Sequence, residues 1–478
     1  MFMNGKFQVS RRRFVAGALS AAGVCALPEM TWADGGAPLL KLGVISDMHI
    51  GGRKQTPQLL EKALRWLNAR GVEAVLSPGD IAHSGFIREM ETFASIWYRV
   101  FPDGKGADGR KVELMISTGN HDAAASWVKG DDAWRTQHVL AHRDNFVRVW
   151  DRLFHEKFEL VWRKEVKGIT FIGAQWPSLK PDLEGYMTSH ASSFDPHLPF
   201  FHCQHEQPLG TCHGAYGNGF DRGQSVRALS PFPNAVVFSG HSHCSIADER
   251  TVWQGAFTSI GAGCLHEGGL AFGYDNCSAF WHPSHKKNFM APLNDPAAWG
   301  GDCEGGCFEF VEVFADHLVV HRRSTVFDLP IGPDWIVPIP AKKGGPFDFV
   351  RRAAERAAPE FASDAAVAAK ICPTGHALEG PSFKGAPCVY VTFPCAKPVK
   401  GSRVFEYEVT AKVDGKDVKK LHIFAAGFSL PEEKSDRPGE CLFSLKDLPT
   451  GKDVVFSVVP RECFGRTGKA ITSAPLHT

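Results

Sequence analysis

The sequence predicts an α/β layer fold followed by a smaller all-β domain. Two observations predict the first part. Apolar runs that read as strands alternate with amphipathic stretches from residue 39 to residue 154, the pattern of a layered α/β sheet. Five apolar runs of the chain, three of them in this stretch and two between residues 200 and 239, also end in a polar cluster, which is where such sheets hold ligands. The second part is predicted by a change of texture. Beyond the Pro- and Gly-bearing stretch 330–346, short alternating runs separated by turn-formers resemble a β-sandwich.

Leu39 to Ser46 reads as the first strand and ends in Asp47-Met48-His49. A helix follows, with Thr56 as its expected N-cap, Pro57 in its first turn and Leu59, Leu60, Ala63, Leu64 and Leu67 as its apolar stripe. Val72 to Ser77 is the second strand and delivers Gly79-Asp80. A helix is expected over about Arg88 to Val100, and a strand over Val112–Ile116 that leads to Gly119-Asn120-His121-Asp122. One further helix is expected from about Thr136 to Phe154. Phe158–Val166, Gly168–Ala174, Phe200–Gln204, Ala235–Ser239, Phe257–Ala262, Phe308–Phe314 and Leu318–Arg322 read as strands, and Pro177–Pro199 as a surface insertion. Phe200–Gln204 leads to His205, and Ala235–Ser239 leads to Gly240-His241-Ser242-His243.

Before the first strand, Ser10-Arg11-Arg12-Arg13-Phe14-Val15 precedes a mild apolar run to Leu27, with a small residue at Ala33. This is the layout of an export signal, and the paired arginines before Phe14 resemble a twin-arginine signal. The expectation is a periplasmic or secreted protein whose export partner is the twin-arginine machinery. Loss of 1–33 removes Lys6, Arg11, Arg12, Arg13 and Glu29, so the net charge of +1 falls by three to −2. Nothing in that balance marks a nucleic-acid partner. The expected organisation is a signal at 1–33, a first domain at 38–329, a linker at 330–346 and a β-sandwich at 347–478. The start of the last is blurred by an Ala-rich stretch, Phe347 to Ala369, that could be helical. Cys303 and Cys307 are the expected local pair among cysteines that otherwise lack a disulfide framework.

The polar clusters carry chemistry. Asp47 and His49 stand at i and i+2, so an extended chain turns both to one side. A carboxylate with an imidazole suits a borderline divalent cation. Asp80 has two oxygens and can bridge two cations about 3.5–4 Å apart. Asn120 offers a neutral carbonyl oxygen. His241 and His243 repeat the i, i+2 spacing and can serve one ion or two. Each cluster alone is weak, because such pairs arise by chance.

Together and in this order, the clusters resemble the calcineurin-like metallophosphoesterase family, whose pattern is D-x-H, G-D, G-N-H-[DE], H and G-H-x-H. Gln204-His205-Glu206 with Thr211-Cys212-His213-Gly214, and Asp248 to Gln254, resemble a bacterial branch with a C-terminal fibronectin type III-like domain. The resemblance implies a four-layer α/β/β/α sandwich over about residues 40–325. It implies two divalent ions drawn from Mn, Fe, Zn or Co, one held by Asp47, His49 and His243, the other by Asn120, His205 and His241, with Asp80 between them. His121 would act at the leaving group as a small phosphorylated substrate is hydrolysed by an activated water. His202 competes with His205, and the strand-end position favours His205. One departure stands out. His83 occupies the place where many members carry Asp, Asn or Tyr, so this is not a purple acid phosphatase and the group that orients His121 is open, with Asp122 a candidate. A rival of another class is a non-catalytic exported module that binds phosphate or glycan through the C-terminal β-domain.

Overall fold

A computed structural model describes residues 36–123, 129–214, 219–267, 274–275, 305–376 and 385–478. The expected export signal and Cys303 lie outside these residues. Every cysteine among the described residues is free.

Two six-stranded mixed sheets form the first domain. The first contains β1 (Leu40–Val44), β2 (Ala74–Ser77), β3 (Glu113–Ile116), β10 (Cys307–Val313), β11 (His317–Ser324) and β12 (Trp335–Pro338), in the order β12-β11-β10-β1-β2-β3. The second contains β4 (Val161–Val166), β5 (Ile169–Ala174), β6 (Phe200–Gln204), β7 (Ala235–Ser239), β8 (Val252–Gln254) and β9 (Thr258–Gly261), in the order β4-β5-β6-β7-β9-β8. Strand periodicity decides which side chains meet. Leu40, Leu42 and Val44 of β1 and Leu76 of β2 face Phe171, Phe201, Val236 and Phe238 in a core between the sheets. Phe171 stacks on Phe201 at 5.0 Å. Alternate residues face outward onto helices. Val75, Phe308 and Phe310 pack against α1 (Thr56–Arg70), α2 (Ile87–Val100) and α4 (Asn145–Phe154). On the far side Ile172, Phe200 and Val237 pack against α5 (Leu183–His190) and α6 (Gln224–Leu229). The result is the α/β/β/α sandwich expected for a metallophosphoesterase. Each fully buried Leu or Phe contributes roughly 1.5–3 kcal/mol to it.

Several local expectations are corrected. Thr56 lies inside α1, whose N-cap is Gln55; the Thr56 hydroxyl instead meets His266 Nδ1 at 3.0 Å. The single helix over 136–154 is two, α3 (Asp132–His138) and α4. Val139 leaves the helix to bridge Phe86, and Asn145 Nδ2 donates to the carbonyls of Thr136 and Val139. A tertiary contact thus overrides a continuous helical pattern. The insertion 177–199 contains α5, because Leu183 and Met187 find an apolar groove against the second sheet.

The stretch 330–346 is more than a linker. Its β12 pairs antiparallel with β11, Val337 opposite Leu318 and Trp335 opposite Val320, and so completes the first sheet. Beyond it α7 (Phe349–Glu355) is the helical part of the Ala-rich stretch. The C-terminal domain then forms two antiparallel sheets. One joins β13 (Ala368–Cys372), β14 (Cys388–Phe393) and β17 (Gly439–Ser444). The other joins β15 (Glu406–Val413), β16 (Lys416–Phe424), β18 (Asp453–Arg461), β19 (Ile471–Thr472) and β20 (Leu476–His477). They pack face to face through Phe443 on Phe456 at 5.1 Å and Phe393 on Tyr407 at 4.8 Å.

The domains are joined at Glu249. Its carboxylate accepts from Trp335 Nε1 and pairs with Arg322 at 3.2 Å and with Arg352 of α7. Burial opposes its ionisation, but the arginines hold it down at about 2. Glu249→Gln leaves these guanidinium groups without their counter-charge, and a stability loss of about 3–5 kcal/mol is expected, read as a lower urea midpoint.

Candidate metal centre

The polar clusters meet at one end of the two sheets because each leaves the C-terminal end of a parallel strand. The chain turns sharply there. Asp47, His49, Asp80, His241 and His243 have φ between 47° and 65°, a left-handed backbone that costs a non-glycine residue about 1–3 kcal/mol. Interlocking bonds hold these turns. Asp47 N–H donates to Gly79 at 3.1 Å, His49 N–H to Asp80 at 2.9 Å, and His241 N–H to the Asp47 carboxylate at 3.1 Å. Gly79 has φ 111°, and a Cβ there would lie 2.8 Å from His205 Nδ1. A Cβ on Gly240 would strike Ser46 Oγ and Asp47 Oδ2. Both glycines are demanded by close approach.

All eight residues expected from the sequence converge. Asp47, His49, Asp80 and His243 bring ligand atoms within 4.8 Å of one another, and so do Asp80, His205 and His241. His49 Nε2 lies 3.0 Å from His243 Nε2, and His243 Nε2 lies 3.0 Å from Asp47 Oδ1. On the other side His205 Nε2 lies 3.1 Å from Asp80 Oδ2 and 3.1 Å from Asn120 Oδ1. Asp80 Oδ2 is also 3.6 Å from His49 Nε2, so this one carboxylate belongs to both groups. Imidazoles and carboxylates gathered this closely at buried positions, with mixed N and O donors, fit two borderline divalent cations.

The second nitrogen of each imidazole sets its task. His205 Nδ1 meets the Pro78 carbonyl at 2.8 Å. A carbonyl only accepts, so Nδ1 carries the proton and Nε2 is the ligand atom. Burial opposes a charge on His205, yet the Asp80 carboxylate lifts it to about 9; a proton takes the place a cation would fill. His241 is pushed down to about 4 by burial and by His205. His121 Nδ1 donates to the His83 carbonyl at 2.6 Å, and its N–H donates to Asp80 Oδ1 at 2.8 Å. Its Nε2 is the ring atom left for chemistry. The orienting group at position 83 is therefore backbone, not side chain. Asp122 does not orient His121. Its carboxylate accepts the N–H groups of Ala82 and Gly119 at 2.7 and 2.9 Å and so ties the second cluster to the third. Burial and the nearby Asp80 raise it to about 7.

His202 is not at the site. Strand alternation turns it to the helix-covered face of β6, with Phe200, where its Nε2 donates to Gln204 at 2.8 Å. Sequence reasoning missed His266, Glu267 and Trp176. The His266 ring lies 5.4 Å from His49, Glu267 Oε1 lies 3.6 Å from His243 Nδ1, and the Trp176 ring lies 5.5 Å from His241. His266 and Glu267 follow the apolar end of β9, the same strand-end signal without a recognised spacing. Thr211 to Gly214 and Asp248 to Gln254 prove to be one buried buttress behind the His241–His243 turn. His213 N–H donates to Arg250, and Gln207 Nε2 donates to Ser242 Oγ at 2.9 Å within that turn.

Residues 40–245 match the family described as calcineurin-like phosphoesterase. These residues are a calcineurin-like phosphoesterase domain. The clusters that could hold metal lie within the matched residues. No curated protein matches the chain. Among solved structures, the phosphoesterase domain is similar to a dimetal phosphatase of Danio rerio, at 12% identity over 63% of this chain and 99% of that one, with a TM-score of 0.34. It is similar to a purple acid phosphatase from yellow lupin (Lupinus luteus) seeds, at 13% identity over 63% and 53%, TM-score 0.40. It is also similar to a zinc-complexed Vps29 of Entamoeba histolytica, at 12% identity over 63% and 99%, TM-score 0.26. Likeness this distant does not carry a function to the phosphoesterase domain.

His205→Ala is expected to remove one of two bound metal equivalents, while His202→Ala retains both. Metal analysis of the two purified variants checks this.

Proposed function

We propose that the protein is an exported phosphoesterase that uses two divalent ions to hydrolyse a small phosphorylated substrate. The observation that supports it best is the position of Asp80 in both candidate ligand groups. In this reading Asp47, His49 and His243 hold one ion, Asn120, His205 and His241 the other, and Asp80 joins them. Mn, Fe, Zn or Co suits the donor set. Bound ions would offset phosphoryl charge and acidify a water to near-neutral pKa. The chain's own residues do the rest. Asp47 and Asp80 supply the negative charge that keeps the cations in place. His121 is held through Nδ1 by the His83 carbonyl and, when protonated, would donate from Nε2 to the departing oxygen. Ser46 Oγ donates to Asp47 Oδ2 at 2.6 Å and fixes the carboxylate's orientation.

Export rests on Arg11-Arg12-Arg13-Phe14 in the first 33 residues, and the periplasm is the proposed compartment. The C-terminal sandwich is taken to be of the fibronectin type III kind. Its docking contact at Glu249 uses none of the candidate ligand residues, which leaves catalysis to the first domain.

Reconstitution with each metal and assay on matched chromogenic phosphate mono- and diesters tests the reading. Metal-dependent phenol release is expected, and a chelator should abolish it; no turnover with any of the four metals would overturn it. His121→Ala should keep both metals and lose kcat by about 10²–10⁴. Asp80→Asn should weaken both metals together, seen in competitive chelator titration. Replacing both Arg11 and Arg12 by Lys should hold the protein in the cytoplasm, as fractionation would show.

A further inference from the structure

A second cluster of charge lies away from the metal centre, where the C-terminal domain docks. Four guanidinium groups gather there: Arg322 on β11, Arg352 on α7, Arg356 just after it, and Arg403 ahead of β15. Arg322 is 1% exposed and Arg352 8%. Two carboxylates oppose them. Glu249 pairs with Arg322, Arg352 and, at 3.8 Å, Arg356. Glu462 lies 3.9 Å from Arg356 Nε, and its oxygens are used by the N–H groups of Phe464 and Arg466. A third acid, Glu309, stands opposite Arg322 in the β10–β11 register. Burial pushes it up to about 8 despite Arg322, so at neutral pH it is largely protonated. Glu432 near Arg403 is exposed to water. Four positive and two negative charges leave an excess of two positive charges in a largely buried interface, which is costly without a counter-charge.

The same place contains a cavity. Arg322, Arg356, Arg403 and Glu249 line it, together with Ile331 and Phe428, and its volume is about 20 Å³. That admits one water-sized species and is too small for phosphate or sulfate. Two donors at the cavity's arginines are unused. Arg322 Nε and Arg356 Nε are buried with no hydrogen-bond partner. Arg403 is anchored in place, donating to the carbonyls of Ile331, Gly427 and Leu430 at 2.8–3.0 Å. Its contact with Ile331 crosses from one domain to the other.

We propose that this cavity binds a single monatomic anion of the chloride class, which helps fasten the C-terminal domain to the phosphoesterase domain. Size selects against oxyanions, the guanidinium excess selects against cations, and the unused Nε–H groups favour an anion over water. The inference does not depend on the metal centre or on the proposed reaction.

Thermal melting of the full chain in sodium chloride and in sodium gluconate, at matched ionic strength, tests it. Chloride should raise Tm saturably by roughly 2–4 °C over gluconate, and inorganic phosphate should not. Crystals grown in bromide should show an anomalous peak within the cavity. Arg356→Gln should melt at the same temperature in chloride as in gluconate, having lost the chloride increment. Superimposable chloride and gluconate curves for the unaltered chain, or bromide crystals with only a water at this place, would overturn the proposal. The bromide experiment needs no variant, so it decides the matter even if Arg356→Gln fails to fold.

Discussion

Asp80 is the point on which the two sheets depend. Its carboxylate faces His49 from the end of β1 and His205 from the end of β6, while accepting the N–H of His121 from the end of β3. A group of that reach can be satisfied only if the strand ends of both sheets arrive at one level. The inter-sheet packing of Leu42, Leu76, Phe201 and Phe238 sets that level. The left-handed turns at Asp47, His49, Asp80, His241 and His243 are strained alone. They persist because each turn's N–H or carboxylate is engaged by the next turn, so the strain is shared across a network that the rigid sheets hold together.

Within that network, identical residue types take different tasks through their second hydrogen bond. His205 and His121 both donate Nδ1–H to a backbone carbonyl, Pro78 in one case and His83 in the other. One Nε2 is thereby turned toward Asp80 and Asn120 as a ligand atom, the other is left for proton transfer. This also explains why His can stand at position 83. The orienting contact to His121 uses the carbonyl, which any residue supplies.

The C-terminal domain is held by ionic contacts with the phosphoesterase domain rather than by a flexible tether. Asp248, Glu249 and Arg250 run consecutively behind the His241–His243 turn. Arg250 pairs with Asp248 and lies over Phe405 at 4.6 Å, while Glu249 gathers the arginines of β11 and α7. One short segment therefore buttresses the metal centre and docks the second domain.

Strand ends, glycines and i, i+2 spacings are local features, and their order along the chain, which resembles the family's pattern, marked Asp47, His49, Asp80, Asn120, His121, His241 and His243. The α/β and all-β halves were legible from alternation for the same reason. Where one run stops being local, reading failed: Val139 leaves a helical pattern to meet Phe86, and β12 hides in a Pro- and Gly-bearing stretch because its partner, β11, supplies the pairing. The preference for His205 over His202 was legible from its strand-end position, and the structure adds that His202 is engaged by Gln204. The sequence by itself determined which side chains stand at strand ends and hence the candidate ligand set. The tertiary structure decided what each ligand's other atom holds, which carbonyl orients His121, and how His266, Glu267 and the Glu249 cluster enter. Those partners lie far apart along the chain, and no local pattern encodes a contact that only sheet stacking creates.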